Sequence, residues 1–140
     1  MFKRDVMTDQ KNLWIVAFIN PNCPGCSSLA KEFNKLATYQ RNSFRKVKFA
    51  FIDTSLESSA EVLEYFTGDD KEIEYTPTIL VYGRDKTDPI HYRGDLKIAA
   101  LNVYTTIYCQ KYGYDKDVRK TALSTTLKKR APTISYGWDN

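Results

Sequence analysis

Two apolar runs give the first signal in the chain. Leu13–Ile19 (LWIVAFI) is continuous and rich in β-branched and aromatic residues. Such a run predicts a strand buried on both faces. Val47–Asp53 (VKFAFID) predicts a second. Between them the period changes. Leu29, Phe33 and Leu36 fall on one helical stripe, with Lys31, Glu32 and Lys35 off it. This predicts an amphipathic helix from about Pro24 to Gln40. Ser58-Ser59-Ala60-Glu61 reads as a capping box, with Val62, Leu63 and Phe66 on the helical face behind it and Gly68 as a stop.

Ile79–Tyr82 and Ile90–Tyr92 predict a third and a fourth strand, joined by a hairpin loop over Gly83–Pro89. Leu96, Ala100, Val103 and Ile107 predict the buried face of a last helix, entered at Gly94-Asp95 and ending near Gly113. The order is β-α-β-α-β-β-α, an α/β core. Its first two strands should be parallel with a right-handed crossover, and its last two antiparallel.

Residues 114–140 stand apart from this 1–113 domain. Asp115–Lys129 could form a weak amphipathic helix through Val118, Ala122 and Leu127, and Pro132 ends it. Ile134, Tyr136 and Trp138 then alternate with Ser135 and Gly137. That pattern predicts a strand for addition to a partner's sheet edge. The plainer reading is a solvated tail, and the expectation kept is a tail docked on this domain or on another chain.

Composition narrows the class. With 140 residues, 42% apolar and 27% charged, the chain is ordinary for one globular domain. Aromatics at 14% argue against wholesale disorder. No apolar run approaches the ~18 residues of a membrane span. Charge is segregated: residues 1–110 hold 14 Lys+Arg against 14 Asp+Glu, and residues 111–140 hold 7 against 3. A nucleic-acid binder would more often spread a basic stripe over its body, so no nucleic acid is expected. A neutral domain with a basic tail predicts a larger protein assembly held through residues 111–140. Lys128, Lys129, Arg130, Tyr136 and Trp138 are the candidate partner-binding residues. Met1–Asn12 is polar and charged, without signal-peptide character. The expected compartment is the mitochondrion, with the cytoplasm or the endoplasmic reticulum lumen as alternatives.

Three cysteines do not make a disulfide framework. Two of them stand in Cys23-Pro24-Gly25-Cys26, between a buried strand and a helix. Helix N-termini favour a thiolate through unpaired N–H groups and the macrodipole. The spacing brings Cys26 back within bonding distance of Cys23. Cys23 would attack a disulfide of a substrate protein, and Cys26 would resolve the mixed disulfide.

On these residues the chain resembles the thioredoxin family, and within it a disulfide isomerase-type domain. The likeness runs from about Leu13 to Cys109. It is carried by strand-CPGC-helix, by Ile52-Asp53 at a strand end, by Thr76-Pro77-Thr78 before a strand, and by Tyr92-Arg93-Gly94 before the last helix. The resemblance implies a thioredoxin-like fold. It also implies a cis Pro77 beside the dithiol, where Thr76 and Pro77 bind an extended substrate.

The departures are specific. The family's full form begins with a further strand and helix, and only twelve residues precede Leu13 here. Asn22 stands where the family has Trp, Ala17 where it has a buried carboxylate, and Lys31 where it has a helix-kinking Pro. Losing the carboxylate removes a proton acceptor, so turnover should be slow. The pair could cycle, or could be an inherited disulfide or idle thiols.

Cys109 reads as a small hydrophobe or a partner-linking thiol, His91 as a strand-face residue, and Asp53 as a group that caps or orients a loop. Cys23, Cys26, Cys109 and His91 match a zinc site in number, but their scatter argues against it. An iron–sulfur cluster shared between two such domains is a weaker alternative. No metal and no bound cofactor are expected. Two functions remain: an accessory subunit of a larger assembly with slow thiol–disulfide exchange, which the tail and the departures favour, or a free-standing thiol–disulfide oxidoreductase.

Overall fold

The computed structural model describes residues 3–43, 45–55, 77–114 and 133–136. Its elements are β1 (Leu13–Ile19), α1 (Cys26–Asn42), β2 (Val47–Asp53), β3 (Thr78–Tyr82), β4 (Ile90–Tyr92), α2 (Ile98–Tyr112) and β5 (Thr133–Tyr136), preceded by a wide helical turn at Lys3–Met7. The capping-box helix at 58–68, Thr76, the basic run 128–130 and Trp138 lie outside the described residues.

The strands form one sheet in the order β4-β3-β1-β2-β5. β1 is its centre, and all seven of its residues are buried. It pairs parallel with β2, from Leu13 opposite Val47 to Ile19 opposite Asp53. It pairs antiparallel with β3, and β3 pairs antiparallel with β4. A strand flanked on both edges and covered on both faces has to be apolar throughout, as LWIVAFI is.

Alternation divides β1 between two cores. Leu13, Ile15, Ala17 and Ile19 face the cluster that holds Leu29, Phe33 and Leu36 of α1 and Leu101 and Cys109 of α2. Trp14, Val16 and Phe18 face a second cluster with Ala50, Ile52, Leu80, Tyr82 and Val6. Val6, in the Lys3–Met7 turn, is fully buried, which the polar composition around it conceals. Asp9 fixes this end of the sheet. It accepts hydrogen bonds from the Asn12 backbone N–H at 3.2 Å and the Trp14 indole N–H at 2.9 Å. Burial works against its charge, but bonds from Trp14, Asn12 and Lys11 outweigh that and hold its carboxyl below the usual range.

β5 follows one of the two expected dockings of the tail: over Thr133–Tyr136 the period-2 segment extends this chain's own sheet. It runs parallel to β2, from Thr133 opposite Phe49 to Tyr136 opposite Ile52. The physical reason lies in β2. Six of its seven residues are buried. Its outer edge would otherwise be an open apolar template. A strand on the same chain reaches it at high effective concentration.

The last helix is turned from expectation. α2 buries Leu101, Thr105 and Cys109. Leu96 packs against the core, but Val103 and Ile107 are each 57% exposed. A polar clamp sets this rotation. The fully buried Gln40 of α1 donates through its side-chain amide to Asn102 Oδ1 at 2.6 Å and Thr106 Oγ1 at 3.3 Å. Its Oε1 accepts from Arg45 at 3.2 Å. A rotation that buried Val103 and Ile107 would carry Asn102 and Thr106 away from Gln40 and leave a buried amide unpaired, at a cost of about 1–3 kcal/mol. On the opposite flank Tyr104 packs against Tyr92, with ring centroids 5.0 Å apart.

Candidate dithiol site

The site stands where β1 ends and α1 begins. Asn20 shapes the exit. Its side-chain oxygen accepts from the Asn22 backbone N–H and its carbonyl from that of Cys23, both at 2.9 Å. Asn-Pro-Asn is a legible signal for such an Asx turn. α1 then starts at Cys26, two residues later than its pattern suggests, with Gly25 as the N-terminal cap residue.

Cys23 and Cys26 are joined as a disulfide, with Cα atoms 5.3 Å apart. The two sulfurs are not equivalent. Cys26 is fully buried in the core beneath α1, whereas Cys23 is only partly buried. Pro24 and Gly25 between them are exposed. A partner thiol can therefore approach Cys23 while Cys26 stays covered.

Ala17 is fully buried and shares a cluster with Cys26. The floor of the site at this position is thus apolar, with no carboxylate from β1 to accept a proton. A buried carboxylate does lie at the same end of the sheet. Asp53 ends β2 opposite Ile19 and is 3% exposed. It accepts from the Ser55 hydroxyl at 2.6 Å and the Ser55 N–H at 2.9 Å. Its expected role in holding a loop is visible in these two bonds.

Pro77 immediately precedes β3, whose Thr78 pairs with Phe18 near the end of β1. Tyr92 pairs with Ile79. Hence the starts of β3 and the ends of β1, β2 and β4 share one end of the sheet with the dithiol. The parallel pairing brings Tyr136 to that end as well, beside Ile52. Gly94 has a steric reason there. A Cβ would stand 2.5 Å from the Tyr92 hydroxyl, which donates to the Asp95 carbonyl at 2.6 Å.

The other expected groups are dispersed. Cys109 stands outside the disulfide and is fully buried on α2. His91 is half-buried on β4, opposite Leu80. Among the described residues no three His, Cys, Asp or Glu side chains are placed to hold a metal ion. Among them, too, no helix is long and apolar enough to cross a membrane.

Similarity to known proteins follows the same residues. A family model described as Thioredoxin matches residues 1–106. The chain is 34% identical over 100 residues to Protein disulfide-isomerase like 2-2 of Arabidopsis thaliana, covering 71% of this chain and 20% of that protein. It is 35% identical over 99 residues to Protein disulfide isomerase-like 2-3 of Oryza sativa subsp. japonica, with the same 71% and 20% coverage. The chain thus spans about 20% of the length of the curated relatives it matches. Among solved structures, the first thioredoxin domain of mouse Protein disulfide-isomerase A4 superposes with a TM-score of 0.62 at 19% identity, covering 84% of this chain and 75% of that one. That likeness shows the fold. With its central apolar strand, its paired Cys23 and Cys26 and its mixed sheet, the chain belongs to the thioredoxin family.

Proposed function

We propose that the chain is a thiol–disulfide oxidoreductase of the disulfide isomerase type, acting on protein thiols and disulfides. One observation carries this reading. The bonded pair opens a helix with one sulfur approachable and the other covered. Exchange needs that asymmetry, because the attacked sulfur must be reached and the resolving one must be kept from the substrate.

In the oxidising direction a substrate thiolate attacks the Cys23 sulfur. The Cys23–Cys26 bond breaks, and Cys26 leaves as a thiolate that takes up a proton. A second substrate thiolate then attacks the substrate sulfur of the mixed disulfide and releases Cys23 as a thiolate. The substrate has lost two electrons and the pair has gained them; the substrate thiols give their protons to solvent, from which Cys26 takes one up. Run backwards, the same steps reduce a substrate disulfide. Thr76 and Pro77 would hold the extended substrate beside Cys23, at the sheet end where Pro77 stands. Without a carboxylate at Ala17, the Cys26 proton exchanges slowly, so turnover is slow.

The disulfide isomerase relatives favour this reading over an accessory subunit. They also favour the endoplasmic reticulum lumen, where such pairs are kept in exchange, over the mitochondrion. The tail segment Lys128–Arg130 with Trp138 remains the candidate grip on a protein partner.

The test is turnover with trapping. Wild-type protein is expected to reduce insulin in the presence of dithiothreitol, and Cys23→Ser to abolish this. Cys26→Ser should accumulate a mixed disulfide that reducing agent releases. The pair's potential should lie within about −270 to −120 mV, the span of working redox proteins. A potential below about −300 mV, with no trapped species, would mark a structural disulfide and end the proposal.

A further inference from the structure

Charge is segregated around the dithiol. Residues 13–52, which run from β1 through the dithiol and α1 into β2, hold six cations: Lys31, Lys35, Arg41, Arg45, Lys46 and Lys48. Against them stands one acid, Glu32. Residues 1–110 as a whole balance at 14 against 14, so this unit is a local excess. Seven of the fourteen acids stand at 57–74, outside the described residues.

The one acid of α1 is engaged elsewhere. Glu32 Oε2 accepts from the Ile98 backbone N–H at 3.3 Å, at the start of α2. The first turn of α1 holds no acid either. Lys31 and Lys35 are both exposed, and residues four apart are neighbours on a helix surface. At a rise of about 1.5 Å per residue they stand about 7.5 and about 13.5 Å along the axis from Cys26. That is within about two Debye lengths at physiological salt. Their charge adds to the partial positive charge of the helix N-terminus, where the pair sits. On the adjoining loop the exposed Arg93 and Asp95 offset each other. Exposed Lys97, next to the Ile98 that Glu32 holds, adds a third cation.

The surroundings of the approachable sulfur give a substrate little apolar surface. Asn22, Pro24, Gly25, Ser27 and Ser28 are exposed around Cys23, and all are small or polar. Recognition there falls to hydrogen bonds and charge. An extended segment advances about 3.3 Å per residue. With its cysteine at Cys23, the flank running along α1 sets residues roughly two to four places away over Lys31 and Lys35.

We infer that the substrates of this dithiol are acidic: protein segments with Asp or Glu within about four residues of the reacting cysteine, held by Lys31 and Lys35. This names the substrate class of the oxidoreductase reading and rests on it. In the reducing direction the Cys23 thiolate attacks such a substrate's disulfide, and one substrate sulfur leaves as a thiolate. Cys26 gives up its proton, attacks the Cys23 sulfur and releases the second substrate sulfur. Two electrons pass from the pair to the substrate.

Two disulfide-bridged peptides of equal length test this, one with Glu and one with Lys flanking its cysteines. The rate at which the reduced full chain reduces each is divided by the rate with dithiothreitol, which removes the peptide's own reactivity. At low salt the Glu peptide should be favoured about tenfold, and the ratio should shrink toward one as salt rises. Lys31→Gln and Lys35→Gln should each cut the preference about threefold, and changing both to Glu should reverse it. Lys48→Glu alters net charge at the other end of β2, where Lys48 lies over the Trp14 ring. It should leave the ratio unchanged. Equal normalised rates for the two peptides, or a preference that Lys48→Glu moves as much as Lys31→Gln does, overturn this inference alone. Failure to reduce either peptide or insulin overturns the oxidoreductase reading, and this inference with it.

Discussion

α1 and α2 lie on the same face of one sheet and touch each other, yet they bury themselves differently. α1 buries seven of its 17 residues, with Leu29, Phe33 and Leu36 in one stripe. α2 buries three of 15 and turns two aliphatics outward. Polar and apolar residues are sharply sorted around α1, so burying one stripe satisfies it. α2 is apolar on most sides, so several rotations would bury comparable area. The choice falls to its neighbours: the Gln40 amide on one flank and the tyrosines on the other. The contrast teaches that an apolar stripe sets a helix's rotation only when the opposite face is polar. Otherwise a few buried polar bonds decide it.

The largest expected effect tests the α1 side. The Phe33 ring centroid lies 5.3 Å from that of Phe49 and 5.1 Å from that of Phe51. Phe33→Ala should cost about 3–5 kcal/mol in urea unfolding, because the cavity lies between a helix and two rings that cannot follow it. A cost below about 1 kcal/mol would show that α1 is not the anchor the comparison makes it.

Next comes the joint between the helices. Gln40→Ala should cost about 1–3 kcal/mol, since Asn102, Thr106 and Arg45 lose a buried partner together. Hydrogen exchange should quicken in α2 more than in α1. Equal change in both would mean that Gln40 supports the core and does not set α2's rotation.

The two outward aliphatics should behave as surface. In dilute solution Val103→Ser is expected to change stability by no more than about 0.5 kcal/mol, although valine is lost from a helix. A cost near that of Phe33→Ala would mean that Val103 is covered within a single copy.

The smallest effect is electrostatic and concerns β4. Burial disfavours the charged form of His91 and Arg93 adds repulsion, so its pKa lies below the ordinary value. The unfolded chain then takes up this proton first. Stability should be full above the unfolded value of about 6.5, fall as pH drops through it, and level off below the folded pKa. His91→Asn should remove that part of the pH dependence in thermal melts between about pH 5 and 8, the range in which histidine changes charge. An identical profile for the variant would assign the slope to other groups.

The sequence by itself determined β1, α1, β2 and the dithiol between them. Seven unbroken apolar residues, a sorted helical stripe and two cysteines on a strand–helix turn are local facts. They leave the chain little choice. The fold class followed, because a helix between two parallel strands has one handedness open to it. The asymmetry of the pair was also implicit, since Cys23 falls in the turn and Cys26 on the stripe side of α1. Val6 was hidden by the polar residues around it. The rotation of α2 and the place of β5 were decided only by tertiary structure. A period-2 pattern announces a strand but not the edge it joins, and that edge belongs to β2, some eighty residues away in sequence. Pairings at such separation depend on which edges remain open once the core has formed. Only the folded sheet holds that information.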